Sequence, residues 1–153
     1  MTDIRLPLGG VKFSVRVAIL CVRGNKVLAT SEPGISFWYL PGGALKVDED
    51  AASGAAREWL EETGRVADSL CLLGVVETLF KRGQERHHEI GFYFRLNAPP
   101  ELPQGRFSLL DKPDFFYDWI PLSEWITRPI HPLAAHSLLH VPADTVRHIV
   151  NRE

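Results

Sequence analysis

The chain of 153 residues is 45% hydrophobic and 24% charged, which is typical of one globular domain spanning residues 1–153. Its formal net charge of −2 gives no broad positive field, so we expect no long nucleic acid as a partner. No apolar run approaches the roughly 18 residues of a membrane span, no amino-terminal signal pattern is evident and only two cysteines occur, so we expect a cytoplasmic protein without a membrane partner.

The first forty residues predict a hairpin and a further short strand. β-Branched and apolar residues dominate positions 13–22, a Gly-Asn pair forms a tight turn, and a second strand follows at 26–30. A third strand is predicted at 37–40. Alternation places Arg16 on one face of the first strand, where its partner is either a substrate phosphate or a structural carboxylate.

Residues 49–63 follow a helical pattern after a turn at Pro41-Gly42-Gly43. We expect Asp48 to cap the start of this helix and Gly64 to end it. The sequence therefore predicts one long helix directly after a glycine-rich loop.

Three glutamates of this helix, Glu58, Glu61 and Glu62, stand at positions i, i+3 and i+4 and share one face. Like charges at i,i+4 spacing cost about 0.2–0.5 kcal/mol per pair, so their clustering predicts a bound divalent cation. Arg57 precedes Glu61 by one helical turn and can orient its carboxylate. Hard oxygen ligands favour Mg²⁺ or Mn²⁺. For any one glutamate alone, a solvated helix face is the simpler interpretation.

The middle of the chain predicts two more strands, at 70–80 and 89–96, joined by a basic connector at 81–88. The connector is either a solvated hairpin loop or a segment that lies over the site. In the second case, Arg86 is a candidate for contacting substrate phosphate or base.

Alternation in the second of these strands groups Glu89, Gly91 and Tyr93 on one face, with three apolar residues on the other. Tyr93 is a candidate for contacting the substrate, with a core position as the alternative. The aromatic run at 115–117 presents the same choice between a base-stacking residue and a core residue.

The last third of the chain predicts a surface connection followed by one strand and several helices. Prolines and a glycine interrupt the connection at 97–114. The later segments are a strand at 115–120, a helix beginning at 121–125 and helices at 133–139 and 143–150. The alternating strands and helices indicate an α/β protein.

The spacing of Gly43, Glu49 and the sequence Arg-Glu-Trp-Leu-Glu-Glu-Thr-Gly at 57–64 resembles the Nudix box, the signature of Nudix (MutT-type) pyrophosphohydrolases. Arg65 occupies the closing position, where the family prefers an aliphatic residue. Lys46 replaces a commonly acidic residue and adds a positive charge near the expected metal site. Neither departure removes a catalytic position.

The resemblance implies a Nudix-type α/β/α sandwich with a mixed β-sheet between helices. It implies that Glu61 and Glu62 are the main metal ligands, that Arg57 orients them, and that Glu58 is a ligand or the general base. The resemblance further implies that Glu49 assists the metal or the groups around it and that the Gly42 carbonyl is a metal ligand. It places Gly43 beside the substrate. It also implies that Glu89, or else Glu85, is a further metal ligand or base.

The resemblance also implies Mg²⁺- or Mn²⁺-dependent hydrolysis of a nucleoside diphosphate linked to another group. Residues 80–83 lack the proline or tyrosine that marks ADP-ribose and dinucleoside polyphosphate substrates, which leaves nucleoside triphosphates and nucleotide sugars. The expected partner is thus a small nucleotide-type molecule, and a homodimer is typical of the family. The alternatives are a non-hydrolytic Nudix-fold nucleotide-binding sensor or regulator, and a purely structural cation on the helix.

Overall fold

The computed structural model describes residues 1–142 and 144–153. Within these residues, eleven strands form one sheet, with one α-helix and two 3₁₀-helices around it. In chain order the elements are β1 (Arg5–Leu8), β2 (Val11–Arg23), β3 (Lys26–Ser31), β4 (Trp38–Tyr39), β5 (Gly42–Ala44), α1 (Ala51–Thr63), β6 (Cys71–Arg82), β7 (Glu85–Asn97), β8 (Phe107–Ser108), β9 (Phe116–Pro121), a 3₁₀-helix (Leu122–Glu124), β10 (Ile130–His131), a second 3₁₀-helix (Leu133–His140) and β11 (Arg147–Arg152).

The sheet is mixed, and its main path runs β10-β4-β3-β2-β7-β6-β11. The central strands β2 and β7 pair in parallel, with Arg16 opposite Gly91. The strands β6 and β7 form an antiparallel hairpin. β5 pairs antiparallel with β2, so that Gly43 lies opposite Val17. The predicted α/β class with a mixed sheet is confirmed.

The two faces of the sheet carry separate hydrophobic clusters. On one face α1 packs through Trp59, which is fully buried in the same cluster as Val17. On the other face the second 3₁₀-helix contributes Leu138 to the cluster that contains Ala18. Val17 and Ala18 separate in this way because neighbouring residues of a strand point to opposite faces. Replacing a buried tryptophan such as Trp59 by alanine typically costs about 3–5 kcal/mol, so this contact anchors α1 on the sheet.

The helix α1 begins two residues later than the sequence predicts. Asp50, rather than Asp48, is the N-cap, because its Oδ1 accepts a hydrogen bond from the Ser53 backbone N–H at 2.9 Å. Asp48 instead lies in the preceding turn with a left-handed φ of 66°. Gly64 ends the helix as predicted, with φ of 72° and its N–H bonded to the Leu60 carbonyl.

The predicted helix at 143–150 is wrong. Residue 143 lies outside the described residues, and the structure shows β11 at Arg147–Arg152, paired in parallel with β6. Ile149 packs on the cluster of the Ala18 face while its neighbour Val150 is exposed, which is the alternation of an edge strand. β-Branched residues favour this pleated surface over a helix.

The prediction of a loop at 81–88 is also wrong, because most of these residues belong to strands. β6 continues to Arg82 and β7 begins at Glu85, so the turn consists of Gly83 and Gln84. Gly83 has φ of 64°, the conformation that a two-residue hairpin turn requires and that glycine adopts without strain. Arg86 therefore projects from a strand.

The other two helices predicted after β9 are present only as 3₁₀-helices. The predicted start at 121–125 corresponds to Leu122–Glu124, and the predicted segment at 133–139 corresponds to Leu133–His140. Proline stands immediately before each of them, as is common at a helix start.

The two cysteines differ sharply in environment. Cys21 is fully buried, and burial raises the pKa of its thiol to about 12, whereas Cys71 is exposed. We therefore expect 5,5′-dithiobis(2-nitrobenzoate) to label only Cys71 in the native protein and to label both cysteines after unfolding in guanidinium chloride. Cys71→Ser should abolish labelling of the native protein; equal labelling of that variant and the wild type would contradict the assignment.

Over the residues that the structure describes, no helix has the length and apolar character needed to cross a membrane.

Candidate active site

Two adjacent glycines, Gly42 and Gly43, let β5 lie close to both β2 and α1. A Cβ atom at Gly42 would lie 2.0 Å from the Val17 carbonyl oxygen, and one at Gly43 would lie 2.4 Å from Glu58 Oε1. Gly42 meets backbone, so only glycine lets the chain lie this close to β2, whereas a side chain at Gly43 would displace the Glu58 carboxylate. Gly42 and Gly43 thus form the floor of the site beneath Glu58.

Arg57 ties this loop to the helix through a network of charged hydrogen bonds. Its Nε and Nη2 donate to Glu49 Oε2 and Oε1 at 2.6 and 2.9 Å. Nη1 donates to Glu58 Oε1 at 3.1 Å and to Glu61 Oε1 at 3.2 Å. Nη2 also donates to the Ala44 carbonyl at 3.2 Å. The planar guanidinium therefore fixes three carboxylates relative to β5.

Glu49 is the principal partner of Arg57, a contact that lies outside the i,i+4 relation examined in the sequence. Its side chain is only 7% exposed, and hydrogen bonds from Arg57 hold the pKa of this carboxyl below its usual range. The structure thus places Glu49 in the network that orients the other carboxylates.

Glu58 and Glu61 differ in exposure. The Glu58 side chain is 13% exposed, and burial raises the pKa of its carboxyl despite the opposing effect of Arg57. The Glu61 side chain is 44% exposed and sits at the rim. Glu58 is therefore a partly desolvated carboxyl that can take up a proton more readily than an exposed glutamate.

Glu62 is buried, and the Tyr117 hydroxyl of β9 donates a hydrogen bond to its Oε1. Burial raises the pKa of Glu62 to about 8, while the Tyr117 hydrogen bond lowers it. Among the charged neighbours, Glu58 and Asp111 raise this pKa and Lys112 lowers it. The loop after β8 also contacts α1 directly, because the Leu110 backbone N–H donates a hydrogen bond to the Glu62 carbonyl at 2.9 Å, a contact between segments that are distant in the chain.

Tyr117→Phe should lower the free energy of unfolding by about 1–3 kcal/mol, because Glu62 Oε1 loses its donor in a buried position. Urea unfolding monitored by circular dichroism measures this change. Tyr93→Phe is the matched control, since Tyr93 is also buried but none of the hydrogen bonds found in the described chain joins its hydroxyl to a carboxylate. If both variants lowered the free energy of unfolding equally, the Tyr117–Glu62 hydrogen bond would not have the stabilising role proposed for it.

The predicted substrate residues on β2 and β7 lie on the other face of the sheet. Arg16 Nη1 lies 3.8 Å from Glu89 Oε1, which favours the structural carboxylate as the partner of Arg16. Tyr93 is 2% exposed and packs in the cluster of Ala18. Because α1 covers the Val17 face, the structure does not bring Arg16, Glu89 or Tyr93 into contact with the helix carboxylates.

Arg86, unlike these residues, lies on the same face of the sheet as Phe92 and α1, but at the far end of β7. It pairs with Val11, whereas Arg16 pairs with Ala44 beside the glycine floor. Five residues at about 3.3 Å each separate Val11 from Arg16, which is roughly 17 Å along the strand. Contacts of Arg86, Arg16 and Tyr93 with substrate therefore stay predictions.

The donor set suits a hard divalent cation. In residues 1–142 and 144–153 no three His, Cys, Asp or Glu side chains already converge on one point, because Arg57 holds Glu58 and Glu61. Glu58 and Glu62 nevertheless each keep one carboxylate oxygen to which no described side chain donates. Carboxylate and backbone carbonyl oxygens are the ligands that Mg²⁺ and Mn²⁺ prefer, so the chemistry of these donors fits such an ion.

The NUDIX domain family model matches residues 12–140, which include all of β2 except Val11, the glycine floor and all of α1. The chain belongs to the Nudix family. Its Nudix box supplies the carboxylate network described above, and the predicted family is confirmed.

Similarity to one curated relative covers only part of each chain. Diphosphoinositol polyphosphate phosphohydrolase 3-beta of Homo sapiens is 33% identical over 85 residues, which are 53% of this chain and 49% of that protein. The chain thus spans about half the length of this relative.

Solved structures of Nudix proteins share the fold over most of the chain. The mutator MutT protein from Bacillus halodurans has a TM-score of 0.68 at 20% identity, covering 91% of this chain and 89% of that one. The MutT NUDIX hydrolase from Burkholderia pseudomallei has a TM-score of 0.64 at 22% identity, covering 85% and 98%. At these identities the likeness establishes a common fold.

Proposed function

We propose that this Nudix protein hydrolyses a phosphoanhydride bond in a nucleoside diphosphate linked to another group, with Mg²⁺ or Mn²⁺. The observation that carries the proposal is the Arg57 network, which fixes Glu49, Glu58 and Glu61 over the glycine floor. Three carboxylates around one arginine leave an excess of negative charge, which a divalent cation would balance. Such a cation could in turn bind phosphate oxygens.

The chain's own residues have distinct tasks in this proposal. Glu58 takes the proton of the attacking water on its free oxygen, or else binds the cation, and its desolvation favours proton uptake. Glu61 and Glu62 hold the cation together with the Gly42 carbonyl, and Tyr117 orients Glu62. Arg57 and Glu49 keep the helix and the loop in register. A bound Mg²⁺ or Mn²⁺ would neutralise phosphate charge and lower the pKa of a water molecule.

The proposed substrate class is a nucleoside triphosphate or a nucleotide sugar. The relative from Homo sapiens is a diphosphoinositol polyphosphate phosphohydrolase, and diphosphoinositol polyphosphates, which also contain a phosphoanhydride, are therefore a further class to test. All three classes carry dense negative charge, which suits a cation site better than an uncharged ester would.

The test is a substrate panel with Mg²⁺ or Mn²⁺, in which products are separated by ion-exchange chromatography. The panel contains nucleoside triphosphates, nucleotide sugars, ADP-ribose, dinucleoside polyphosphates and a diphosphoinositol polyphosphate. We expect turnover of one class with cleavage between two phosphorus atoms, and loss of turnover in Glu61→Gln. Tight nucleotide binding without turnover of any substrate would overturn the proposal and favour a non-hydrolytic nucleotide sensor.

A further inference from the structure

A second site candidate lies at the turn end of the β6–β7 hairpin, far from α1. A recess of about 240 Å³ opens there between the hairpin, the start of β2 and the end of β11. Lys81, Arg86 and Arg152 line it, together with the apolar side chains of Val11 and Leu79. The recess therefore has room for a phosphoryl group together with some bound water.

The three cationic residues lie on the same face of the sheet. Lys81 pairs directly with Arg86 across the hairpin. Arg152 pairs with Leu79, which is two residues before Lys81 and therefore on the same face. Like charges placed directly opposite each other across two strands are destabilising, so the arrangement favours a bound anion.

The protein itself does not neutralise these cations. None of the ion pairs in the described chain includes Lys81, Arg86 or Arg152, and Glu85 at the turn pairs instead with Lys12 and His87. Glu153, the acidic residue in the lining, accepts a hydrogen bond at Oε1 from Asn151 Nδ2 at 3.1 Å and keeps its negative charge, so the lining combines three cations with one carboxylate. The recess is therefore a local positive site on a chain whose net charge is −2.

We propose that this recess binds a phosphoryl group through Lys81, Arg86 and Arg152. Charge-assisted hydrogen bonds from arginine and lysine suit phosphate oxygens, and arginine can contact two of them at once. The group comes either from inorganic phosphate or from the distal end of a phosphorylated substrate. Phosphate binding is independent of the proposed hydrolysis, because the recess lies roughly 17 Å along the strand from the glycine floor.

The test is titration of ¹⁵N-labelled, chelator-treated protein with inorganic phosphate at constant ionic strength, followed by ¹H–¹⁵N correlation spectra. We expect saturable shifts of the amides of Lys81, Arg86 and Arg152. In Lys81→Gln/Arg86→Gln the dissociation constant should rise about tenfold or more, since two charged hydrogen-bond donors are lost.

Lys26→Gln/Arg147→Gln is the matched control, because it removes the same charge from two exposed residues outside the recess. This control should bind phosphate as the wild type does. Equal affinity in the two double variants, or shifts confined to residues 42–43 and α1, would overturn the proposal.

Kinetics then identifies the source of the phosphoryl group. A substrate-borne group predicts that Lys81→Gln/Arg86→Gln raises KM at unchanged kcat for the substrate that carries it. Free phosphate predicts unchanged KM together with weakened phosphate binding. Glu58→Gln leaves the residues of the recess unchanged, so this variant should lose turnover but bind phosphate as the wild type does. Phosphate binding and turnover are therefore tested separately, and either proposal can fail without the other.

Discussion

Replacing Glu58 by glutamine is expected to lower kcat by about 10²–10⁴-fold with little change in stability. The substitution keeps the size of the side chain and its hydrogen bond from Arg57, but it removes the charge and the capacity to accept a proton. The effect is large whether Glu58 is the general base or a metal ligand, because both roles need a carboxylate. Steady-state turnover of the best panel substrate measures it.

Glu124→Gln is the matched control for this experiment. Glu124 is an exposed glutamate whose carboxylate lies 3.6 Å from Arg128 on the surface. Its replacement should leave kcat within about twofold of the wild type, since exposed pairs contribute little. Equal activity of Glu58→Gln and Glu124→Gln would exclude Glu58 from the reaction.

Arg57→Gln is expected to lower the free energy of unfolding by about 2–4 kcal/mol. The loss is large because Glu49, whose side chain is 7% exposed, would keep its charge in a buried position without its two bonds from Arg57. The same variant should lose most of its turnover, since Glu58 and Glu61 lose their common donor. Guanidinium unfolding of the chelator-treated protein measures the stability change.

Two further variants separate the geometry of Arg57 from its charge. Arg57→Lys keeps the charge but lacks the planar fork, so we expect it to recover only part of the lost stability. Arg128→Gln removes an arginine from an exposed ion pair and should change the free energy of unfolding by less than about 1 kcal/mol. Similar losses in Arg57→Gln and Arg128→Gln would mean that the network does not stabilise the fold.

The sequence predicted the carboxylate helix well because its information is local. Glu58, Glu61 and Glu62 share a face as a consequence of helical periodicity, and the Nudix box spans a short segment. The sequence also placed Gly42 and Gly43 in the loop directly before the helix, and the structure adds that a Cβ atom at either position would clash with Val17 or Glu58. Alternation likewise placed Tyr93 on the opposite face from Phe92 and Phe94, as the two clusters confirm.

The contacts that the sequence did not predict are separated in the chain. Tyr117 and Glu62 are 55 residues apart, and only the packing of β9 against α1 brings them together. The aromatic run at 115–117 gave a choice between stacking and core positions, and Tyr117 takes a core position with a polar contact. A tyrosine at an inward-facing position of a strand suggests a buried hydroxyl that needs a polar partner, and a glutamate in the buried face of the helix is such a partner.

The error at the carboxy-terminal end has a different cause. A short apolar and β-branched segment such as 145–150 fits a strand or a helix by periodicity alone. The pairing partner decides between them, and here the free edge of β6 accepts Arg147–Arg152 as a parallel strand. The identity of the neighbouring strand cannot be read from residues 145–150 themselves, because β6 is distant in the chain.

Metal titration is the decisive experiment for the proposed action of the α1 carboxylates with a divalent cation. The wild-type enzyme is treated with a chelator, dialysed and assayed with the best panel substrate while Mg²⁺ or Mn²⁺ is added. We expect no turnover without the cation and saturable recovery as the cation is added, with weaker apparent cation affinity in Glu61→Gln. Full turnover in the chelator-treated enzyme, unchanged by added cation, would exclude the proposed role of the cation.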